Sequence, residues 1–248
     1  MTISLKDRVA VVTGAAGVMG LATVKALLAE GMRVAMADVD EARLEREAAR
    51  LGGAAFPVVC DVSDYAASEA AMQTVERALG PVDVLVNNAG ILSNAKVADT
   101  TPAEWRRVLA INLDGAFYLA KLVLPGMKAR GWGRIVNVCS VAMKSGGLTA
   151  GTAYTTSKGA LQALTFSLAR ESAKFGVTVN GVAPAYVKTP MVTEQLTEAQ
   201  RQALMAQIPV GRFCEPEEFA HCVRFLVSPL SGFVTGEILD LNGGLIFD

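Results

Sequence analysis

The stretch Arg8-Val-Ala-Val-Val-Thr13-Gly14-Ala-Ala16-Gly17-Val-Met19-Gly20 decides how the rest of the chain is read. A short β-branched run stops at a cluster of glycines. Helical spacing then takes over from Gly20 to Glu30 and ends at Gly31. A turn of this kind lets the main chain approach a pyrophosphate closely, and the free amides of the helix N-terminus point at it. Glycines alone serve any tight turn. Their position between the first strand and the first helix makes them a nucleotide-binding signal. Gly14, Ala16, Gly17, Met19 and Gly20 are therefore candidate contacts to a dinucleotide.

Outward from this turn the alternation continues. Strands are predicted over Arg33 to Asp38, Phe56 to Asp61, Val82 to Asn87, Arg134 to Ser140, Val177 to Ala183 and Glu237 to Leu241. Helices are predicted from Asp40 to Leu51, Asp64 to Leu79, Thr101 to about Arg130, and Thr152 to Phe175, the last closed by Gly176. Thr101 reads as an N-cap followed by Pro102 at the first helical position. Strands separated by such helices form βαβ units with right-handed crossovers. The expected architecture is one α/β domain over residues 1–248, a doubly wound, Rossmann-like plan. It should have a mainly parallel seven-stranded sheet and helices on both faces. The polar segment Thr189 to Phe213, bounded by Pro190 and Pro209, breaks the regularity; beside the carboxyl edge of the sheet it is expected to form a substrate lid.

Composition narrows the function. The 248 residues are 52% hydrophobic and 19% charged, which excludes a disordered chain and suits strands covered on both faces. The formal net charge is -1 with no basic block, so no nucleic-acid or membrane partner is expected. The first eight residues contain no apolar signal core, and Val9 to Val24 is short and broken by glycines. A soluble cytoplasmic protein is the expectation. Cys60, Cys139, Cys214 and Cys222 show no CxxC spacing, and His221 is the only histidine, so no metal site is expected.

Asp38 ends the second strand, where a carboxylate can accept hydrogen bonds from an adenosine ribose and would repel a 2'-phosphate. No Arg or Lys stands in the glycine turn to offset it, which favours NAD over NADP. The alternative for Asp38 is an N-cap of the following helix. Asp61-Val62 ends the third strand and Asn87-Asn88-Ala89-Gly90 the fourth, so four successive strand ends offer polar or small residues to a dinucleotide.

Tyr154 and Lys158 lie one turn apart on one helix face. A phenol is a poor base at neutral pH, and a nearby ammonium is expected to lower its pKa. Tyr154 can then take or give the proton of an alcohol. Ser140, at the end of the fifth strand, can hydrogen-bond a substrate oxygen. Asn112 is a polar residue in an apolar helical stretch and needs partners; it could hold a water linked to Lys158. Singly, each has a structural alternative: an exposed helix pair, a strand terminus, a polar kink.

Together these residues carry a resemblance. Thr13-Gly14 to Gly20, Asp61-Val62, Asn87-Asn88-Ala89-Gly90, Asn112, Ser140, Tyr154-Thr-Thr-Ser-Lys158, Pro184 to Thr189 and Asn242-Gly243-Gly244 stand in an order and spacing that resembles the short-chain dehydrogenase/reductase family, from about Leu5 to Gly244. The resemblance implies that Asn112, Ser140, Tyr154 and Lys158 form the catalytic tetrad and that Asn88, Val187 and Thr189 contact the cofactor. It also implies a homotetramer built through the long helices after strands four and five. The chain departs from the family at Val18, where the glycine turn has its middle glycine, and at Ala185, where glycine follows proline.

Within the family, Gln207 to Arg212 and Val234 to Glu237 resemble β-ketoacyl-carrier-protein reductases, and Asp38 resembles NAD-dependent secondary alcohol and polyol dehydrogenases. Those reductases carry a basic residue where this chain has Ala16-Gly17. They also dock the carrier with two basic residues, of which Arg130 matches one and Phe175 stands at the other. The expected function is an NAD-dependent dehydrogenase of a small or medium secondary alcohol or ketone. A 3-ketoacyl thioester reductase is the alternative. A non-catalytic nucleotide sensor would not need Ser140, Tyr154 and Lys158 together. The substrate is expected to be uncharged, against Ser93, Ser140, Met143, Leu148, Tyr154, Tyr186 and Met191.

Overall fold

A computed structural model describes residues 4–189 and 197–247. Seven strands, β1 (Val9–Thr13), β2 (Arg33–Asp38), β3 (Ala55–Val59), β4 (Val82–Asn87), β5 (Gly133–Val138), β6 (Val177–Pro184) and β7 (Ile238–Leu241), form one sheet in the order β3-β2-β1-β4-β5-β6-β7. Every pairing is parallel. The order reverses between β1 and β4, and a crevice at such a switch point is where these sheets bind ligands.

Successive residues of β1 show why both faces must be covered. Val9 and Val11 enter one core with Leu85, Leu119 and Ile135. Ala10 and Val12 enter the other with Leu27, Met36 and Phe219. A strand with apolar residues on both sides of the pleat is stable only between two helix layers. Among the described residues the helices are α1 (Val18–Ala29), α2 (Glu41–Leu51), α3 (Tyr65–Leu79), α4 (Pro102–Leu109), α5 (Gly115–Arg130), the short α6 (Ala142–Ser145), α7 (Thr152–Ser172), α8 (Glu198–Met205) and α9 (Pro216–Val227).

Local chemistry fixes their ends. Thr101 Oγ1 accepts from Glu104 N at 3.1 Å with Pro102 at the first position of α4. Asp40 caps α2 through Arg43 N, and Asp64 caps α3. Helix α1 starts at Val18, two residues before the predicted Gly20, because extended Gly17 takes the N-cap position. The helix predicted from Thr101 to Arg130 is continuous but carries a π turn at Ala110–Asp114. This run is also long and apolar enough to cross a membrane; here it packs against β4, β5, α3 and α7. Strand β5 ends at Val138, two residues short of the predicted Ser140.

The expected lid over 189–213 falls partly outside the described residues. From Thr197 onward it folds as α8, opened by a reciprocal Thr197–Gln200 capping box. Ile208 and Phe213 then pack on Tyr186, Leu204 and Met205. The base of the segment is closed where Tyr186 and Lys188 exchange main-chain hydrogen bonds with Cys214 at 3.0 and 2.8 Å.

Candidate active site

Two adjoining cavities open at the carboxyl edge of the sheet. The outer cleft, about 810 Å³, runs across the ends of β1, β2, β3 and β4. It is lined by Gly14, Ala16, Gly17, Met19, Gly20, Asp38, Asp61, Val62, Asn88, Ala89, Gly90 and Thr189. The inner cavity, about 290 Å³, lies beside β5 and β6 and holds Ser140, Tyr154, Lys158, Tyr186 and Val187. Met19, Asn88, Gly90, Ile91 and Thr189 border both.

The glycine turn has little freedom. Gly14 has φ +61°, and a Cβ there would sit 3.0 Å from Ala89 Cα. A Cβ on Gly20 would meet the Gly14 carbonyl oxygen at 2.2 Å. Gly17, at φ −75°, has no comparable need for glycine, and Val18 is simply the first helical residue with its side chain on the cleft. Neither Val18 nor Ala185 takes the left-handed backbone that demands glycine. Both departures from the family pattern thus leave the chain path intact. The turn is latched to β4: Thr13 Oγ1 accepts from Asn88 N and Ala89 N at 3.0 and 2.9 Å, and Asn88 Nδ2 donates to the Thr13 carbonyl at 2.8 Å.

Asp38 is fixed at the rim of the cleft. Its Oδ2 accepts from Ala16 N at 2.9 Å and its Oδ1 from Asp40 N at 3.2 Å. The cap of α2 is Asp40 rather than Asp38. Asp61 accepts from Ser63 N and Oγ, which folds the chain beyond β3 along the cleft wall. The cleft, the open amides at the start of α1 and the carboxylate at its rim fit a dinucleotide. Sequence reasoning missed Arg43 and Arg107 on the same wall. Arg43 was findable: it sits three residues past the Asp40 cap, on the first turn after β2.

The inner cavity is built by side chains. Lys158, 4% exposed, donates from Nζ to the Val138 carbonyl at 2.6 Å and lies 5.7 Å from the centre of the Tyr154 ring. A Cβ on Gly90 would come within 3.5 Å of that ammonium. Asn112 clamps the loop after β4: its Oδ1 accepts from Ile91 N, and its Nδ2 donates to the Ile91 carbonyl and to Ser157 Oγ. The side chain is thereby used up. A water tied to Asn112 would have to use its main-chain carbonyl, in the π turn where the regular ladder is interrupted. Buried amides carry α7 on the sheet: Asn87 donates to Asn137 and Asn137 to Thr165, each at 2.8 Å.

Burial decides the protonation states. It pushes the Tyr154 phenol above its ordinary value, with the neighbouring Ser140 hydroxyl pulling the other way. It brings Lys158 down to about 8. Against the expectation from the sequence, the Tyr154 phenol thus lies above rather than below its ordinary value, because burial disfavours the phenolate. The phenol is held as a proton donor.

Among the expected substrate residues, Ser140, Leu148, Tyr154 and Tyr186 line the inner cavity. Met143 does not. It packs against the cluster of Cys139, Leu161, Ala183 and Ile238, because α6 turns Ala142 and Ser145 toward the cavity and Met143 away. Ser93 is buried behind the wall, donating to Glu104 at 2.6 Å. Met191 lies outside the described residues. His221 is exposed beside Arg224, at the far side of α9. Among the described residues no cluster of metal-ligating side chains occurs.

A family model described as enoyl-(acyl carrier protein) reductase matches residues 14–246. Similar proteins include an acetoacetyl-CoA reductase of Rhizobium meliloti, 41% identical over 244 residues, with 97% of this chain and 99% of that protein covered. A 3-oxoacyl-(acyl-carrier-protein) reductase of Thermotoga maritima is 37% identical over 245 residues, covering 98% and 99%. A 2-(S)-hydroxypropyl-CoM dehydrogenase of Xanthobacter autotrophicus is 39% identical over 253 residues, covering 99% of each. The crystal structure of gox2181 superposes with a TM-score of 0.90 at 34% identity, covering 98% of this chain and 97% of that one.

Proposed function

The chain belongs to the short-chain dehydrogenase/reductase family, and within it we propose an NAD(H)-dependent oxidoreductase of a small or medium, uncharged secondary alcohol or its ketone. The observation that carries the cofactor choice is the Asp38 carboxylate, pinned at the cleft rim by two main-chain amides. When bound, the nicotinamide supplies or accepts the hydride. The chain's residues manage the proton and the oxygen. The Ser140 and Tyr154 side chains hydrogen-bond each other on the wall of the inner cavity, and in this reading both engage the substrate oxygen. In reduction Tyr154 gives its proton to that oxygen; in oxidation it takes the hydroxyl proton. Lys158 favours the phenolate left after donation, and its ammonium beside Gly90 would hold a ribose of the bound cofactor. Among the described residues that line the inner cavity Lys158 alone is charged, which supports an uncharged substrate. We also take the working form to be a homotetramer through α5 and α7, whose Phe117 and Phe166 are each 45% exposed.

The second reading is a 3-ketoacyl thioester reductase, favoured by what several relatives are called. Against carrier-protein docking near this chain's own cavity, Arg130 is committed to the Val82 carbonyl and to Asp83, at the amino end of β4 and remote from the site. Phe175 packs with Lys128 and Lys174. The test is a panel of ketones, alcohols and ketoacyl thioesters read by nicotinamide absorbance in both directions, with both cofactors. Turnover of simple ketones with NADH supports the first reading. Equal or better use of NADPH, with thioesters preferred, replaces it with the second.

A further inference from the structure

The loop after β4 and the loop before α7 meet along residues 93–96 and 147–152. Gly151 N donates to the Ser93 carbonyl at 2.6 Å and Thr152 N to the Ala95 carbonyl at 3.0 Å. Gly151 has no room for a side chain: a Cβ would fall 2.4 Å from the Ala95 carbonyl oxygen. Gly146 and Gly147 both take left-handed backbone, at φ +72° and +79°. The turn they make points the carbonyls of Gly147 and Ala150 toward a common donor. That donor is Lys96, whose Nζ lies 2.9 Å from the first and 2.6 Å from the second. Among the described residues no carboxylate pairs with Lys96. The far end of the 93–96 segment is pinned by the Ser93–Glu104 hydrogen bond to the first turn of α4.

The turn held in this way carries Leu148, Thr149 and Ala150, which wall the inner cavity. We propose that Lys96 is a positioning residue that sets the shape of the substrate chamber by holding the 147–150 wall against the 93–96 segment. This rests on the reading that the inner cavity takes the ketone or alcohol. An ammonium suits the task because it donates to two carbonyls at once, and charge-assisted hydrogen bonds are the stronger kind. Methionine would keep most of the stem and leave both carbonyls without a donor. Tyr154 and Lys158 do not lean on Lys96. The main-chain bonds at Gly151 and Thr152 fix the start of α7, and Lys158 is held by Val138. The loss should therefore fall on substrate binding rather than on turnover.

The experiment compares Lys96→Met and Lys96→Arg with the unmodified full chain. It uses the best ketone of the panel with NADH, and amide hydrogen exchange over residues 146–150. In Lys96→Met, KM should rise ~10-fold, about 1.4 kcal/mol of lost substrate binding. Turnover should stay within ~3-fold and NADH affinity should not change, while exchange at 146–150 quickens. Lys96→Arg should restore both KM and exchange. An unchanged KM with unchanged exchange overturns the proposal. So does a joint fall of kcat, NADH affinity and melting temperature, and so does failure of arginine to rescue. If the unmodified enzyme turns over no ketone at all, it is the functional reading that fails; the exchange measurement still decides whether Lys96 holds the wall.

Discussion

The outer cleft and the inner cavity share one sheet edge and are built by opposite means. The cleft, about 810 Å³, is shaped by main chain: the Gly14 turn, the first amides of α1 and a carboxylate fixed by two N–H groups. The cavity, about 290 Å³, is shaped by side chains whose protonation burial has shifted. Main chain persists through most substitutions, whereas a buried phenol or ammonium has no substitute. Apart from Gly14 and Gly20, where a Cβ would collide with main chain, a replacement in the cleft should therefore be graded and recoverable, and one in the cavity should be severe.

Tyr154→Phe is the sharpest way to test the cavity side. The ring stays and the proton donor goes, so turnover should fall by ~100- to 10,000-fold, the range of general acid–base catalysis. NADH affinity, measured by fluorescence titration, should barely move. Near-normal turnover would remove the difference between the two regions.

Next in size is cofactor choice. Two like charges 4 Å apart repel by ~1 kcal/mol in water and ~4 kcal/mol at an effective dielectric of 20. With tenfold for each 1.4 kcal/mol, the Asp38 carboxylate should favour NADH over NADPH by ~100- to 1,000-fold in kcat/KM. Asp38→Ser with Ala16→Arg should erase most of that ratio while leaving kcat with the better cofactor nearly intact. A ratio that does not respond would shift the weight to Arg43 on the same wall.

A smaller effect concerns stability. Burial lowers Lys158 from 10.5 to about 8, a penalty of about 3 kcal/mol on the charged form. Below pH 8 folded and unfolded chains both carry the charge, and the penalty is felt in full. Between about 8 and 10.5 only the unfolded chain keeps the proton, so this residue's contribution to stability rises with pH across that window. Lys158→Met removes the penalty and leaves the Val138 carbonyl without its donor, a loss of about 1–2 kcal/mol. At pH 7 the variant should melt about 2–4 °C higher, as read by calorimetry, although inactive. A lower melting temperature would mean that the ammonium is a structural prop. Smallest of all, Val18→Gly should change activity by no more than a few-fold, since α1 begins there with ordinary helical backbone. Loss of cofactor affinity would show that the Val18 side chain, on the cleft, contributes to binding.

The strands were legible because buried parallel strands are apolar on both faces and leave runs such as Val82–Asn87 in the sequence. The helix caps were legible because Thr101, Asp64 and Gly176 sit at the ends they close. The π turn at Ala110–Asp114 was not, since an extra residue in one helical turn leaves no mark on a long apolar stretch. Met143 and Ser93 were misplaced for a related reason: counting outward from Ser140 and Gly90 gives proximity along the chain, and helix phase or a single hydrogen bond then turns the side chain elsewhere. Charge was visible in Lys158, but burial was not, and burial determines the direction in which Tyr154 shifts. Lys96 carries no motif. Its partners lie 51 and 54 residues away, and only the folded chain brings them to it.

The latch between Thr13 and Asn88 spans 75 residues. Closing a loop of that length carries an entropy cost that local turns avoid, and such nonlocal contacts form late in folding. The β1–α1–β2 unit in isolation would therefore have the glycines without the seat they make, because β4 supplies the groups that hold Thr13 in place. A molecule that binds only after β1 and β4 have paired stabilises the union of the two halves of the sheet by mass action. The increase in melting temperature with added dinucleotide would then measure how firmly the middle of the sheet is closed.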